Sequence, residues 1–452
     1  MSDMIAAVAT GWQASAIGIL RLSGEGCIEL AHQVFTPRFS SQTEAPDRTL
    51  IMGYLHDKQG RVIDEVLLTV SRGPNSYTGE DTAEFQCHGS PAVLTAGLEA
   101  LFAKGARQAG PGEFTKRAFL NGRMDLTQAE AVIDLIDAES VEAAANAVGQ
   151  LGGAMLRKID PIYDRLTDLM AHFHAVLDYP DEDIDPFELS QFRTQLEADC
   201  DSLYQLLSTY GRGQVLKRGL RVAILGRPNA GKSSLLNALA GFDRVIVTDI
   251  AGTTRDSVEE TVKLGRHLLR LVDTAGIRET DDVIERMGVE RAEAAAAQAD
   301  LAIYVCDGSR ELTQEDLRAQ RAAMEAPRAI AILNKQDLPQ AVVPSDLPFD
   351  WVVPLCAKTG AGLEQLEDVL DCLFGEDLPC DGSILTNTRQ ADAVRRAGKS
   401  MEQALASMAQ DMTPDAVLVD IEAAMEALGE ITGRVMRQEI TNRIFERFCV
   451  GK

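Results

Sequence analysis

With 452 residues the chain has room for about three domains, each burying its own core, and 45% hydrophobic with 25% charged residues is the composition of a soluble globular protein. A net charge of −25, from 44 Lys and Arg against 69 Asp and Glu, weighs against indiscriminate nucleic-acid binding. Salt confines that field to about 8 Å, so RNA stays open to a local basic patch or a basic partner.

No run of about 18 apolar residues is present to span a membrane, and the first residues lack a signal-peptide pattern. The eight scattered cysteines, with no Cys-x-x-Cys pair, point to the reduced thiols of a cytoplasmic protein. Residues 4–120 mix strand-like and helical runs, with 16–22 and 65–70 reading as strands. Turn formers crowd residues 72–90 (RGPNSYTGEDTAEFQCHGS) and 110–126 (GPGEFTKRAFLNGRMDL). Polar groups on such turns suit a binding pocket, although read alone they are two surface turns.

Thr127-Gln128-Ala129-Glu130 reads as a capping box that opens a long Ala-rich helix, with Leu126, Ile133 and Ile136 on a shared core face. Helical periodicity resumes over 156–177 and breaks at the acidic, proline-punctuated DYPDEDIDP of 178–186. That stretch is a solvated hinge without the spacing of a calcium loop. A further helical stretch runs to about residue 210, and Gly211-Arg212-Gly213 reads as a linker. Over 216–374 apolar strand patterns alternate with helical ones, as in a doubly wound α/β sheet. Helices return after about 375, with Thr413-Pro414-Asp415 as a helix start and a last helix over 440–448. The helices on either side of 216–374 are expected to pack together, which makes the α/β part an insertion into a helical domain.

Within that α/β part, Gly226 to Ser233 reads G-R-P-N-A-G-K-S, between the apolar run 222–225 and an amphipathic stretch over 234–239. Strand, glycine loop and helix are the context of a P-loop. Asn229, Ala230, Gly231, Lys232, Ser233 and Ser234 are the candidate phosphate-binding residues. Lys232 is expected to reach the β- and γ-phosphates and the Ser233 hydroxyl to ligate Mg²⁺. Asp273-Thr274-Ala275-Gly276 follows the strand pattern 268–272, where an acid can hold Mg²⁺ through water and a glycine N–H can sense the γ-phosphate. Asn334-Lys335-Gln336-Asp337 follows the strand pattern 330–333. The carboxylate of Asp337 can accept both donors on guanine's N1/N2 edge, which selects GTP over ATP. Cys356-Ala357-Lys358 stands where a segment lining the base belongs, and Thr254, between the P-loop and Asp273, is the second candidate Mg²⁺ ligand.

Ile277 occupies the place where Ras-like enzymes carry the glutamine that positions water. An arginine finger, worth about 10³–10⁵ in rate, has candidates in Arg255 and Arg278. Asn229 together with residues 248–253 (TDIAGT) suggests a different device, an amide oxygen and backbone carbonyls around a monovalent cation.

Assembled, these segments resemble the MnmE (TrmE) family of tRNA-modification GTPases over essentially the whole chain. The resemblance is carried by ILRLSG at Ile19, GPNSYTGED at Gly73, GPGEFTKRAFLNGRMDLTQAEA at Gly110, GRPNAGKSSLLNALAG at Gly226, TDIAGTTRD at Thr248, DTAGIRE at Asp273 and the terminal CVGK. It implies a multidomain α/β plus all-α protein. An N-terminal tetrahydrofolate-binding and dimerisation domain would take residues 1–120, and a Ras-like G domain 215–376. The helical domain would form from 121–214 and 377–452.

The resemblance further implies a homodimer that works with the flavoprotein MnmG. The two install an aminomethyl or carboxymethylaminomethyl group on carbon 5 of the wobble uridine of certain tRNAs. 5,10-Methylenetetrahydrofolate or 5-formyltetrahydrofolate supplies the one-carbon unit, with FAD and NADH on the partner. Arg21, Glu84, Arg123 and Lys452 match folate positions, and Cys449 matches a cysteine needed for modification. In the G domain the cation becomes K⁺, held by Asn229, Thr248, Ile250 and Thr253, and Glu285 matches the acid that orients the attacking water. A second reading is a GTPase switch in ribosome assembly or regulation. No recognisable RNA-binding motif favours it.

Overall fold

The computed structural model describes residues 3–39, 46–178, 186–242, 260–272, 296–375, 381–410, 412–435, 441, 444–446 and 448–451. They fall into two compact units, one made of Met1–Asp137, Ala147–Tyr204 and Asp392–Lys452, the other of Ala138–Asn146 and Gln205–Ala391.

The first unit is founded on a seven-stranded sheet of β1 (Ile5–Val8), β2 (Ser15–Ser23), β3 (Phe35–Pro37), β4 (Ile51–His56), β5 (Val62–Ser71), β6 (Thr82–Gly89) and β7 (Arg107–Gln108). Their order is β3-β4-β5-β6-β2-β1-β7, antiparallel except for the β1–β7 pair. The expected strands 16–22 and 65–70 lie inside β2 and β5. Alternation sends Leu20, Leu22, Val66, Leu68, Val70 and Phe85 into a core shared with α1 (Cys27–Gln33) and α2 (Pro91–Ala103). β1 is buried on both faces, because Ala6 and Val8 join that core while Ile5 and Ala7 pack with Phe114 of α3 (Glu113–Leu120).

The helical part begins with α4 (Leu126–Ile136) and α5 (Val141–Leu151), so the single Ala-rich helix expected here is broken at residues 137–140. The cap of α4 also differs from the expectation. Asp125, not Thr127, is the N-cap, its Oδ1 accepting from the N–H groups of Thr127 at 2.7 Å and Gln128 at 3.0 Å, while Gln128 Oε1 accepts from the Asp125 N–H at 2.9 Å. Asp is as good a cap as Thr, and Thr127 is itself buried in the first turn. Leu126 is buried as expected, but Ile136 is 49% exposed at the helix end. Then come α6 (Ala154–Asp178) and α7 (Pro186–Ser208), joined by an Arg165–Asp199 ion pair.

In the second unit, α8 (Tyr210–Arg218) runs through Gly211-Arg212-Gly213, where a linker was expected. Gly213 is required by packing rather than by a turn, since a Cβ there would overlap the Leu385 carbonyl oxygen. Leu385 N–H donates to Thr209 Oγ1 at 3.0 Å, and Gln214 Nε2 donates to the Thr386 carbonyl at 2.7 Å.

The sheet of this unit holds β8 (Leu220–Leu225), β9 (Glu260–Leu264), β10 (His267–Val272), β11 (Leu301–Asp307), β12 (Ala329–Asn334) and β13 (Val352–Pro354), ordered β13-β12-β11-β8-β10-β9. Every pair is parallel except β9–β10. Both faces are covered. Leucines of α9 (Lys232–Phe242) and α11 (Leu363–Phe374) enter one core, while Ala322 and Ala323 of α10 (Gln314–Met324) enter the other. This is a doubly wound sheet, and the order reverses at β8 and β11, where such folds bind ligands beyond the strand C-termini.

The chain then returns to the first unit in α12 (Thr388–Ala409) and α13 (Pro414–Thr432), which opens with Thr413 as N-cap and Pro414 at its first position. α13 packs along α6, and Arg396–Glu430 and Arg434–Asp160 ion pairs reinforce the assembly. Middle and C-terminal segments thus build one helical body, with a P-loop α/β domain inserted between them. Of the last expected helix, 440–448, the described residues 441, 444 and 445 are helical, 446 and 448 are turn or bend, and the others lie outside the described residues.

Candidate functional site

The loop from Gly226 to Ser233 follows β8 and opens α9. Gly226 has φ 149° and Gly231 φ 103°, and a Cβ on the first would strike the Val305 carbonyl oxygen of β11, on the second the Asn334 amide. Both glycines are thus fixed by close approach to neighbouring strands, and Asn229 takes the left-handed φ of 61° that asparagine tolerates. Lys232 Nζ donates to its own loop, to the Gly226 carbonyl at 2.7 Å and the Arg227 carbonyl at 2.9 Å. Burial holds its pKa below that of a free lysine. An ammonium so placed, above N–H groups at a helix start, is suited to a polyphosphate. Asn229, Ser233 and Ser234 are exposed along the loop, and Ala230 is buried beneath it.

Asn334 ties three loops together. Its Nδ2 donates to the Ala230 carbonyl at 2.9 Å and its Oδ1 accepts from the Ala357 N–H at 3.0 Å. Asp337 and Lys358 are exposed on the flanking loops, with Cys356 and Ala357 buried under them. The P-loop, Asn334 to Asp337 and Cys356 to Lys358 therefore converge at one edge of the sheet.

Sequence reasoning missed Asp307. It ends β11 almost fully buried, with Lys335 Nζ at 2.7 Å and the P-loop side chain of Arg227 at 3.6 Å from its Oδ2. Burial alone would push its carboxyl up, but bonds from Lys335 and Ser309 outweigh that and hold it below the usual aspartate range. The only signal was Asp307-Gly308-Ser309 after an apolar run, which reads as an ordinary turn. Thr248, Ile250, Thr253, Thr254, Arg255, Asp273, Thr274, Ala275, Gly276, Arg278, Glu285 and Lys452 lie outside the described residues.

A second cluster of named residues sits on the N-terminal sheet. Arg21 of β2 and Glu84 of β6 are cross-strand partners, and Arg21 Nε donates to Glu84 Oε1 at 2.6 Å. The guanidinium lies 5.7 Å from the ring centres of both Tyr77 and Phe114, and its Nη1 donates to the Gly451 carbonyl at 3.3 Å. The C-terminal tail therefore reaches this site. Gly112 N–H donates to the Cys449 carbonyl at 3.3 Å, Val450 bridges to Pro111, and Cys449 is a free, exposed thiol. Arg123 is exposed, its stem close to Gly79 in the same turn that carries Tyr77. Arg117, also missed, is buried behind that turn with ion pairs to Glu80, Glu113 and Asp3. Among the described residues no helix is long and apolar enough to cross a membrane.

Residues 4–123 match the family model described as GTP-binding protein TrmE N-terminus, and residues 126–449 that described as MnmE helical domain. The chain is 40% identical to the tRNA modification GTPase MnmE of Clostridioides difficile (strain 630), over 100% of both chains. It is 42% identical to that of Roseiflexus sp. (strain RS-1), over 100% of this chain and 99% of the other. A solved structure of the G domain of the T. maritima FeoB iron transporter is 23% identical, with a TM-score of 0.26, over 35% of this chain and 99% of that one.

Proposed function

The chain belongs to the MnmE (TrmE) family, and from that premise we propose that it is a GTP hydrolase of tRNA modification, its nucleotide cycle working as a conformational switch and not as the modifying chemistry. The observation that carries the reading is the convergence of three loops on Asn334, which brings the Lys232 ammonium and the exposed Asp337 carboxylate to one edge of the sheet. Phosphates would lie over residues 229–234 and guanine between Asp337 and the loop 356–358. A carboxylate accepting from N1 and N2 of guanine is left unmatched by adenine, and a polar group left unmatched against a bound base weakens binding.

The oxygen donors of Ser233 and Thr254 suit Mg²⁺, and those of Asn229, Thr248, Ile250 and Thr253 suit K⁺. Both ions would neutralise phosphate charge. Asp273 to Gly276 would follow the γ-phosphate, and Glu285 would orient water once closure excludes solvent. Faster GTP hydrolysis in KCl than in NaCl is expected, and equal rates would remove the potassium site.

On the first unit, Arg21, Glu84, Arg123 and Lys452 form the proposed site of the tetrahydrofolate derivative. The charged pair offers both a cation for the glutamate tail and an acceptor for ring N–H groups, and Tyr77 and Phe114 supply aromatic faces. Bound there, the folate would contribute the one-carbon unit. This chain's part is to hold it beside the Cys449 thiol and exclude water. The redox steps belong to a flavoprotein partner, MnmG, with FAD and NADH, working on a homodimer of this chain in the cytoplasm.

Mass spectrometry of tRNA nucleosides from cells with and without the protein tests the whole reading. Loss of the C5-modified wobble uridine, restored by the intact gene and not by Cys449→Ser, is expected. Unchanged nucleosides would leave a GTPase switch of ribosome assembly or regulation.

A further inference from the structure

Behind the P-loop lies an ion network that joins two parts of the nucleotide site from below. Asp307 Oδ2 faces Lys335 Nζ at 2.7 Å and Arg227 Nη2 at 3.6 Å, with its side chain only 3% exposed. The other oxygen, Oδ1, accepts from the Ser309 N–H at 3.1 Å and hydroxyl at 2.6 Å. Arg227 Nε in turn lies 3.5 Å from Asp316 Oδ1, and Asp316 is immobilised by the Thr313 capping box of α10 and by the Tyr304 hydroxyl at 3.2 Å.

A strand-end aspartate that only shaped the turn would need Ser309 and nothing more. Here one buried carboxylate is shared by cations from two separate loops. Arg227 is the second residue of the phosphate loop, and Lys335 is the second residue of the guanine loop. Lys335 holds a left-handed φ of 64°, a conformation that lysine adopts only when something fixes it. Arg227 is 13% exposed, so its contacts to Asp307 and Asp316 are not weakened by solvent as surface pairs are.

We propose that Asp307 is a positioning residue that sets the phosphate loop and the guanine loop at the spacing a guanine nucleotide requires, acting through Arg227 and Lys335. The inference deepens the GTP site above and rests on it. Asn334, itself buried, links the same loops by neutral hydrogen bonds. Asp307 links them by charge from beneath, so removing it leaves Asn334 to hold the spacing alone.

The test is equilibrium binding and release of a fluorescent GDP by the full-length protein, with Asp307→Asn, Arg227→Met and the double variant. Asp307→Asn is expected to weaken GDP binding about tenfold or more, mainly through faster release. Arg227→Met should weaken it less, and the double variant no more than Asp307→Asn alone, because both act through one contact. A merely structural role would lower the melting temperature and leave the affinity of the folded fraction unchanged. Any unchanged affinity in Asp307→Asn, or additive losses, overturns the proposal. Should Asp307→Asn fail to fold, Arg227→Met decides alone, and wild-type GDP affinity in it would refute the coupling. A wild-type protein that fails to bind GDP would refute the nucleotide site itself, an outcome distinct from these.

Discussion

Gly451→Ala is the substitution on which the proposed folate site depends most sharply. Gly451 has φ 105°, and an added Cβ would overlap the Val8 carbonyl oxygen and come within 3.0 Å of Ala9 Cα. The strain of a positive φ alone is about 1–2 kcal/mol for a residue with a Cβ, and the overlap with the Val8 carbonyl adds to it. What holds the tail is of similar size. The Gly112–Cys449 and Arg21–Gly451 hydrogen bonds are both 3.3 Å long, and with the Pro111–Val450 bridge they sum to about 1–3 kcal/mol net.

Strain comparable to the holding energy leaves the tail docked only part of the time, and apparent affinity falls in proportion to the competent fraction. A loss of up to about tenfold in 5-formyltetrahydrofolate affinity is expected, read by titration calorimetry. The melting temperature should hardly move, because the tail is terminal and covers little core. Folate affinity within twofold of wild type would show that the tail does not complete the site, and would move Lys452 and Cys449 away from it.

Asp337→Asn should exchange GTP preference for xanthosine triphosphate, since an amide donates to the O2 that replaces guanine's amino group; unchanged preference would place the base elsewhere. Glu285→Ala should bind GTP normally and hydrolyse it slowly, measured in single-turnover assays in KCl, and an unaltered rate would remove it from water positioning. For Glu113, burial pushes the carboxyl up, but Arg107 at 2.5 Å, the Gly110 N–H at 2.8 Å and Arg117 at 3.2 Å outweigh it and hold it below the ordinary glutamate range. Its stabilisation is therefore full above the unfolded value near about pH 4.3 and fades as pH falls through the lower folded value. The urea-midpoint deficit of Glu113→Gln should be largest at pH 7 and narrow below about pH 4; a deficit independent of pH would exclude the ionic cause.

The parts of the nucleotide site legible in the sequence were those in which backbone geometry dictates residue type. Gly226 and Gly231 occupy conformations and close approaches that reject a Cβ, so a P-loop cannot avoid showing them. The strands β2 and β5 were legible for a similar reason, since one face of that sheet meets α1 and α2. Local rules failed where two correct local options competed. Asp125 and Thr127 are both good caps, and only the burial of Thr127 in the helix's first turn decides between them. Gly211 and Gly213 looked like a linker because glycine disfavours helix, yet the approach of the Leu385 carbonyl requires the second of them inside α8.

Charged residues were the least legible, and the reason is physical. A buried charge is stable only when its partners surround it, and those partners come from distant parts of the chain. Arg117 in the sequence is one basic residue in GEFTKRAF; in the fold it is buried against Glu80, Glu113 and Asp3 and braces the turn that carries Tyr77 over Arg21. Asp307 sits in what reads as an ordinary turn, and its meaning comes from Arg227 and Lys335, which no spacing rule connects to it. Motifs therefore name the residues that would touch ligand. The residues that hold those in place are found by following each buried charge to its partners, and in this protein that path leads from Asp307 to both ends of the nucleotide site.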